Sequence, residues 1–381
     1  MSYVEPGDPG QLSATVRAAF QERYDAPATA VGRAPGRVNL IGEHTDYNAG
    51  LVLPVALPHA TYAAWAPRTD GVLRVASRQQ EAVWEGRVDE LGPDTVDGWA
   101  SYAAGVVWAL REAGVDLAGG DLLVDGTVPL GAGLSSSAAL ECAVAIAVAP
   151  DVERRLLATA CIRAETEVAG APTGGMDQYV ALLAETGHAL LIDFASDETT
   201  QVPLDLSGHT LLVTDTRVSH ELTDGGYGSR RTDCEEAAGL LGVPTLREAA
   251  LADVETLEDE RIRRRARHVV TEIERVTAVV DALSRSDWDT VGTLFLASHA
   301  SMRDDFEIST PELDAAVAVA VEAGAVAARM TGGGFGGSSV AIVPDERVEA
   351  VMRAVDATFV LEGFTPPAHL RAVPSDGATA V

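Results

Sequence analysis

The chain has 381 residues and a net charge of −29 at pH 7, from 57 acidic and 28 basic side chains, a balance that argues against nucleic acid or an anionic membrane as partner. All 28 basic residues are arginine. The missing lysine excludes a Walker P-loop, a protein-kinase site and a pyridoxal Schiff base, each of which depends on one.

Hydrophobic residues make up 47% of the chain, enough for a globular protein with two domains and a sizeable core. The start, MSYVEPGDPG, has neither basic residues nor an apolar run of the secretory kind. The longest apolar run, 138–148, is broken by Glu141 and too short to span a bilayer. Cys142, Cys161 and Cys234 show no metal-ligand spacing and fit a reduced, cytoplasmic protein.

Hydrophobic periodicity predicts a helix over 12–24 and strands over 37–41, 51–57, 61–66 and 71–77. Between them, GRVNLIGEHTDYNAGLVLP (36–54) packs Arg37, Asn39, Glu43, His44, Asp46, Tyr47 and Asn48 into a dozen residues. Carboxylates and amides at that density suit a pocket for a small, hydroxyl-rich molecule, because they grip hydroxyls by hydrogen bonds. Taken alone, His44 could equally be a satisfied structural histidine.

A helix over 99–113 and a strand over 122–128 follow, then the loop PLGAGLSSSAAL (129–140). Gly131 and Gly133 allow a tight turn, and Ser135, Ser136 and Ser137 stand at the start of an apolar helix. Its unpaired amides and dipole favour an anion there. A plain N-cap would explain one serine; three exceed it. A further helix over 152–168 contains Glu165 and Glu167, which point about 200° apart at ideal α-helical geometry. GGMDQYV (174–180) then places Asp177 behind two glycines, either as a reactive carboxylate or as a helix cap.

The second half reads as strands over 188–194 and 210–215 and helices over 231–239, 261–283, 288–302 and 311–323. A glycine turn, a strand over 338–343, a helix and a strand near 369–373 complete it. Strands and helices mix without a strict βαβ rhythm, so the fold class is α+β. A boundary near 195–205 divides the chain into domains 1–200 and 201–381. The run RIRRRAR (261–267) reads as a solvated helix face paired with acids.

The segment 36–54 resembles the N-terminal signature of galactokinases, within the GHMP small-molecule kinase superfamily. The serine loop is similar to the superfamily's nucleotide loop. MDQ (176–178) resembles the triplet that carries its catalytic aspartate, and RMTGGGFGGSSV (329–340) its C-terminal glycine loop. YGSRRTDCEEA (227–237) resembles the family's tyrosine–arginine stretch, but carries Gly228 and Ser229 where Pro and Val are frequent. The motifs run in family order from about 32 to about 343.

This resemblance implies a two-domain GHMP fold with its active site between the domains, and transfer of the ATP γ-phosphate to the anomeric hydroxyl of α-D-galactose. It implies Asp177 and Arg37 as catalytic residues, the guanidinium favouring the ionised carboxylate and stabilising charge on the moving phosphoryl group. Glu43, His44, Asp46, Gly174 and Tyr227 would hold galactose. Gly131, Ala132, Gly133, Leu134, Ser135, Ser136, Ser137 and Trp99 would hold the nucleotide, although Trp99 also fits a core position. Ser136 and Glu165 would hold Mg²⁺. Galactose and ATP are the expected partners, with no nucleic acid or membrane, and the chain as a monomer or weak homo-oligomer. The alternatives are a GHMP kinase for another sugar and a non-catalytic regulator that binds galactose and ATP.

Overall fold

The computed structural model describes residues 3–171, 173–218 and 226–381. Pro172, four residues beyond the helix expected over 152–168, lies outside them. The first sheet has six strands in the order Thr379–Ala380, Ala30–Asn39, Pro54–Pro67, Gly120–Gly126, Val72–Ser77, Trp84–Arg87. Its alternating side chains feed two cores. On one face, Val31, Tyr62 and Leu123 pack against Val16 and Phe20 of the helix Pro9–Tyr24. On the other, Ala34, Ala63, Trp65 and Leu73 meet the helices Ala100–Glu112, Ser136–Val148, Arg154–Arg163 and Met176–Leu183.

The Ala-rich composition of Ser136–Val148 has a direct use. Its backbone lies so close to the first sheet that a Cβ on Gly32 would stand 2.1 Å from the Ala143 carbonyl oxygen. Small residues on the helix and glycine on the strand let the two backbones approach, which fixes where the helix N-terminus points.

The strands expected at 51–57 and 61–66 differ from those found. Leu51–Val52 belongs to another sheet, and Pro54–Pro67 is one long strand. Pro58 sits where the register with Ala30–Asn39 slips, Pro35 facing Ala60 while Arg37 faces Ala56. A proline donates nothing to a ladder, so a bulge accommodates it without ending the strand.

A second sheet orders Ala327–Thr331, Ser338–Pro344, His209–Asp215 and Ala368–Ala372. One face carries Leu211, Val213, Val340 and Ile342 onto Val276 and Val279 of Glu260–Ser284 and Phe295 of Trp288–Asp304. The other carries Leu212, Ala341 and Val343 onto Pro311–Glu322 and Val348–Glu362. A third sheet joins Leu51–Val52, His188–Asp193 and Glu198–Pro203. Val38, Leu40 and Leu53 of the segment 36–54, with the adjoining Val55, share a core with the second sheet. Both chain ends cross between halves: Val4 donates its N–H to the His369 carbonyl, and Thr379–Ala380 pairs with Ala30–Asn39.

The helix expected over 152–168 is α-helical only over Arg154–Arg163. It widens into a π-turn at Ala164–Val168, where the Ala169 N–H reaches the Ala164 carbonyl at 2.9 Å. Such single π-turns concentrate at functional sites, and this one carries Glu165.

Candidate active site

Arg37 projects from Ala30–Asn39 and is buried. Its Nε and Nη2 donate to the two oxygens of Asp177 at 2.8 and 3.0 Å, a bidentate pair. Nη1 donates to the Gly133 carbonyl at 2.6 Å, and the backbone N–H to the Leu134 carbonyl at 3.1 Å. One strand residue therefore ties the serine loop to the MDQ turn.

The loop takes its shape from three positive-φ positions, two of them glycine. Gly131 and Gly133 have φ of 73° and 70°, and Ser135 stands at φ 58° immediately before Ser136–Val148. Ser135 occupies the N-cap position, yet its hydroxyl makes no capping bond; it donates to Asp177 Oδ2. The first-turn amides of that helix are thus left uncapped by it, next to Arg37. Asp177 is likewise no cap: Gly175 holds that position, and Asp177 lies in the first turn of Met176–Leu183.

Glu165 is buried beside this pair. Gln178 Nε2 donates to its Oε2 at 2.6 Å, and Ser137 is its hydroxyl partner. Burial, then the charge of Asp177, push it up to about 7. Glu167 points away, exposed and paired with Arg163 at 2.6 Å. The hydroxyl bonded to Glu165 is that of Ser137, one residue beyond the expected Ser136.

The segment 36–54 turns at Asp46–Asn48, and Asp46 accepts the Tyr47 N–H at 3.0 Å. Gly174 lies against it: a Cβ there would stand 2.2 Å from the Asp46 carboxylate. Burial, with a further contribution from Asp177, raises Asp46 to about 6. His44, at φ 61°, spans the Tyr47 hydroxyl (Nδ1, 2.8 Å) and the Gly333 carbonyl (Nε2, 3.1 Å). The carbonyl requires an N–H on Nε2, which leaves Nδ1 to accept from tyrosine. Burial lowers His44 to about 3, so the ring is neutral. Its ring lies 4.9 Å from Tyr227 and 4.8 Å from Phe306.

Glu43 sits deeper than its neighbours. It is 2% exposed, pairs with the fully buried Arg329, and accepts from the Gly332 N–H at 3.1 Å and the Thr331 hydroxyl at 3.3 Å. Arg329 also donates to the Leu40 carbonyl at 2.8 Å, and Glu272 accepts the Gly42 N–H at 3.1 Å. Arg329 and Glu272 thus brace the loop around Leu40–Glu43 from the second half of the chain. Sequence reading missed Glu272 entirely; it is one acid among many on a helix. Trp99 is half-buried at the start of Ala100–Glu112, packed on the first core. Among the described residues no hydrogen bond or ring contact links it to the serine loop. A surface groove of about 880 Å³ along Arg87, Trp108 and Arg111 holds none of these groups.

The geometry brings a carboxylate, a guanidinium, a helix N-terminus and a second buried carboxylate to one place, with a polar, aromatic-walled patch beside them. That arrangement can hold an anion and orient a hydroxyl toward it. Among the described residues no helix is long and apolar enough to cross a membrane.

Comparison with known proteins agrees with this chemistry. The family profile of the galactokinase galactose-binding signature matches residues 18–67. Those of the N-terminal and C-terminal GHMP kinase regions match 101–185 and 279–361. A galactokinase of Streptomyces coelicolor is 48% identical over 379 residues, covering 96% of this chain and 98% of the relative. One of Mycobacterium bovis is 44% identical over 355 residues, covering 91% and 97%. The crystal structure of Lactococcus lactis galactokinase complexed with galactose superposes with a TM-score of 0.90 at 30% identity, covering 96% of this chain and 99% of that one. Mevalonate kinase of Methanococcus jannaschii, at 14% identity and a TM-score of 0.65, shares the fold.

Proposed function

Because the chain belongs to the galactokinase family of the GHMP kinase superfamily, and so phosphorylates galactose with ATP, we propose that Asp177 and Arg37 carry the transfer step. Asp177 receives or orients the proton of the anomeric hydroxyl, and Arg37 holds Asp177 in place through both guanidinium edges. The bidentate Arg37–Asp177 pair, pinned to the serine loop at Gly133 and Ser135, is the observation that carries this reading. It puts the general base next to the place where a helix N-terminus receives phosphate. Phosphoryl transfer has a loose transition state, so positioning and charge stabilisation supply most of the acceleration.

Gly131–Ser137 would cradle the phosphates through backbone N–H groups, with Trp99 toward the base. Asp46, His44, Gly174 and Tyr227 would hold the sugar. Glu43 supports this set from beneath, its carboxylate already serving Arg329 and Gly332. A neutral His44 with both nitrogens engaged orients Tyr47 and packs against Tyr227.

The donor set fits Mg²⁺. Glu165, the Ser137 hydroxyl and the neighbouring Ser136 offer hard oxygens, and the crowding of Glu165 by Asp177 is relieved by a dication. Among the described residues no three His, Cys, Asp or Glu side chains form a cage of their own. A metal shared between one carboxylate and substrate phosphates needs no such cage. When bound, Mg²⁺ would neutralise charge on the phosphate oxygens. We further place the domain division near 195–205, with both termini crossing it, and the protein in the cytoplasm as a monomer or weak homo-oligomer.

Asp177→Asn tests the assignment. Turnover falls by roughly 10²-fold or more, while galactose and MgATP affinities, measured by calorimetry, stay within about tenfold, because the loss is confined to the transition state. Wild-type turnover in the variant removes Asp177 from the mechanism.

A further inference from the structure

Glu141 lies one turn into Ser136–Val148, fully buried. Gln178 Nε2 donates one N–H to Glu141 Oε2 at 2.9 Å and the other to Glu165 Oε2 at 2.6 Å. Two oxygens of this cluster are buried without a partner: Glu141 Oε1 and Gln178 Oε1. They belong to the two residues already joined by a hydrogen bond. An ionised carboxylate and an amide carbonyl are both acceptors only, so those oxygens cannot satisfy each other. A protonated carboxyl has an O–H to give, and a carboxylic acid facing a carboxamide forms a ring of two hydrogen bonds. The acid carbonyl accepts the amide N–H and the acid O–H donates to the amide carbonyl.

We propose that Glu141 is a carboxylic acid that closes this two-bond ring with Gln178, and that it acts as a positioning residue by aiming the second Gln178 N–H at Glu165. The ring removes both unpartnered oxygens at once. An unpartnered buried polar group costs about 1–3 kcal/mol, so two in one contact would be a heavy burden. The surroundings agree. Burial, then Glu165, Cys161 and Asp177, push Glu141 well above the usual carboxylate range, and Gln178 opposes this only in part. Tyr102 also feels Glu141 and Glu165, and Cys142 contacts the Gln178 backbone carbonyl at 3.9 Å. The cation of the cluster, Arg37, is committed to Asp177. A neutral Glu141 leaves Glu165 as the carboxylate that can bear charge toward the nucleotide. The inference rests on the assignment of Glu165 to Mg²⁺ above.

Three variants, read by infrared spectroscopy, steady-state kinetics, melting temperature and calorimetry, test it. Infrared spectroscopy of the apoprotein at pH 8.5 should show a protonated-carboxyl C=O band that disappears in Glu141→Gln. Glutamine can form the same ring as an amide–amide pair, so Glu141→Gln keeps kcat and KM for MgATP close to wild type, while its melting temperature drops slightly for the one buried N–H the ring does not use. Glu141→Leu keeps the volume but breaks both bonds. Its affinity for Mg²⁺ with a non-hydrolysable ATP analogue, by calorimetry, falls about tenfold while galactose affinity is unchanged. Absence of the infrared band overturns the proposal. So does damage in Glu141→Gln equal to that in Glu141→Leu, or a folded Glu141→Leu that binds the nucleotide normally. If Glu141→Leu does not fold, the band and Glu141→Gln still decide. Glu165→Gln separates the two levels. If it leaves Mg²⁺–nucleotide binding intact, the metal assignment fails; if it weakens binding and Glu141→Leu does not, only the role of Glu141 fails.

Discussion

Glu165 shows how far burial can bend a single side chain. The folded protein binds its proton more tightly than the unfolded chain does, since its value moves from 4.5 to about 7. The stability it contributes is therefore complete below about pH 4.5 and is lost as pH rises through about 7. Glu165→Gln copies the neutral form. Its melting temperature in the absence of ligands should match wild type only near or below about pH 4.5, exceed it slightly at pH 5.5 and exceed it most at pH 8.5, read by scanning calorimetry. A gap that does not widen with pH would mean that Glu165 is not forced to charge against its surroundings. The identities of Asp177, Arg37 and the serines were legible in the sequence because each stands in a short contiguous run. Their partnership was legible only through the family resemblance, since Arg37 and Asp177 are 140 residues apart.

At the scale of elements, the helix Glu260–Ser284 matters to a loop it follows by more than 200 residues. Glu272 accepts from Gly42 N–H, the Ser298 hydroxyl (2.6 Å), Arg275 (2.7 Å) and Arg329 (3.3 Å). Burial works against its charge, but Arg275 and Arg329 prevail and hold it at about 2. Glu272→Ala leaves Arg329 short of a counter-charge in a dry core. Loss of one partner of a buried pair costs about 3–5 kcal/mol, which chemical denaturation should register. Because Gly42 precedes Glu43 and His44, KM for galactose should rise more than KM for ATP in whatever protein folds. Equal effects on both would show that the helix supports the whole protein rather than the sugar loop. Nothing in the local sequence marks Glu272 or Arg329 for this, because their contacts to the loop span 230 and 286 residues. The helices were legible for the opposite reason: their periodicity is local. The run 261–267, read as a solvated face paired with acids, is paired as expected, with Arg261 on Asp233, Arg264 on Glu307 and Arg267 on Glu255, but it is not solvated throughout: Arg265 is buried against Asp233 and Glu307. Among the strands, Trp84–Arg87, Glu198–Pro203, Ala327–Thr331 and Thr379–Ala380 were not anticipated, being short and defined by their partners more than by their own pattern.

The whole molecule carries −29 charges and must bind a polyanion. The local cradle and the global field therefore oppose each other. Arg37 and the amides of the serine loop act within a few ångströms, where salt screens little. The acidic surface acts over tens of ångströms, where salt screens much. Raising ionic strength from about 10 mM to about 150 mM shortens the screening length from about 30 Å to about 8 Å, which removes most of the repulsion and little of the attraction. KM for MgATP should therefore fall severalfold over that range, opposite to the trend of a site set in a basic surface. Galactose is neutral, so its KM should stay constant and serves as the internal control. A KM for MgATP that climbs with salt, against a flat galactose KM, would mean that the arginine and helix-terminus charges extend their reach beyond the cradle and that the acidic surface is too distant to matter.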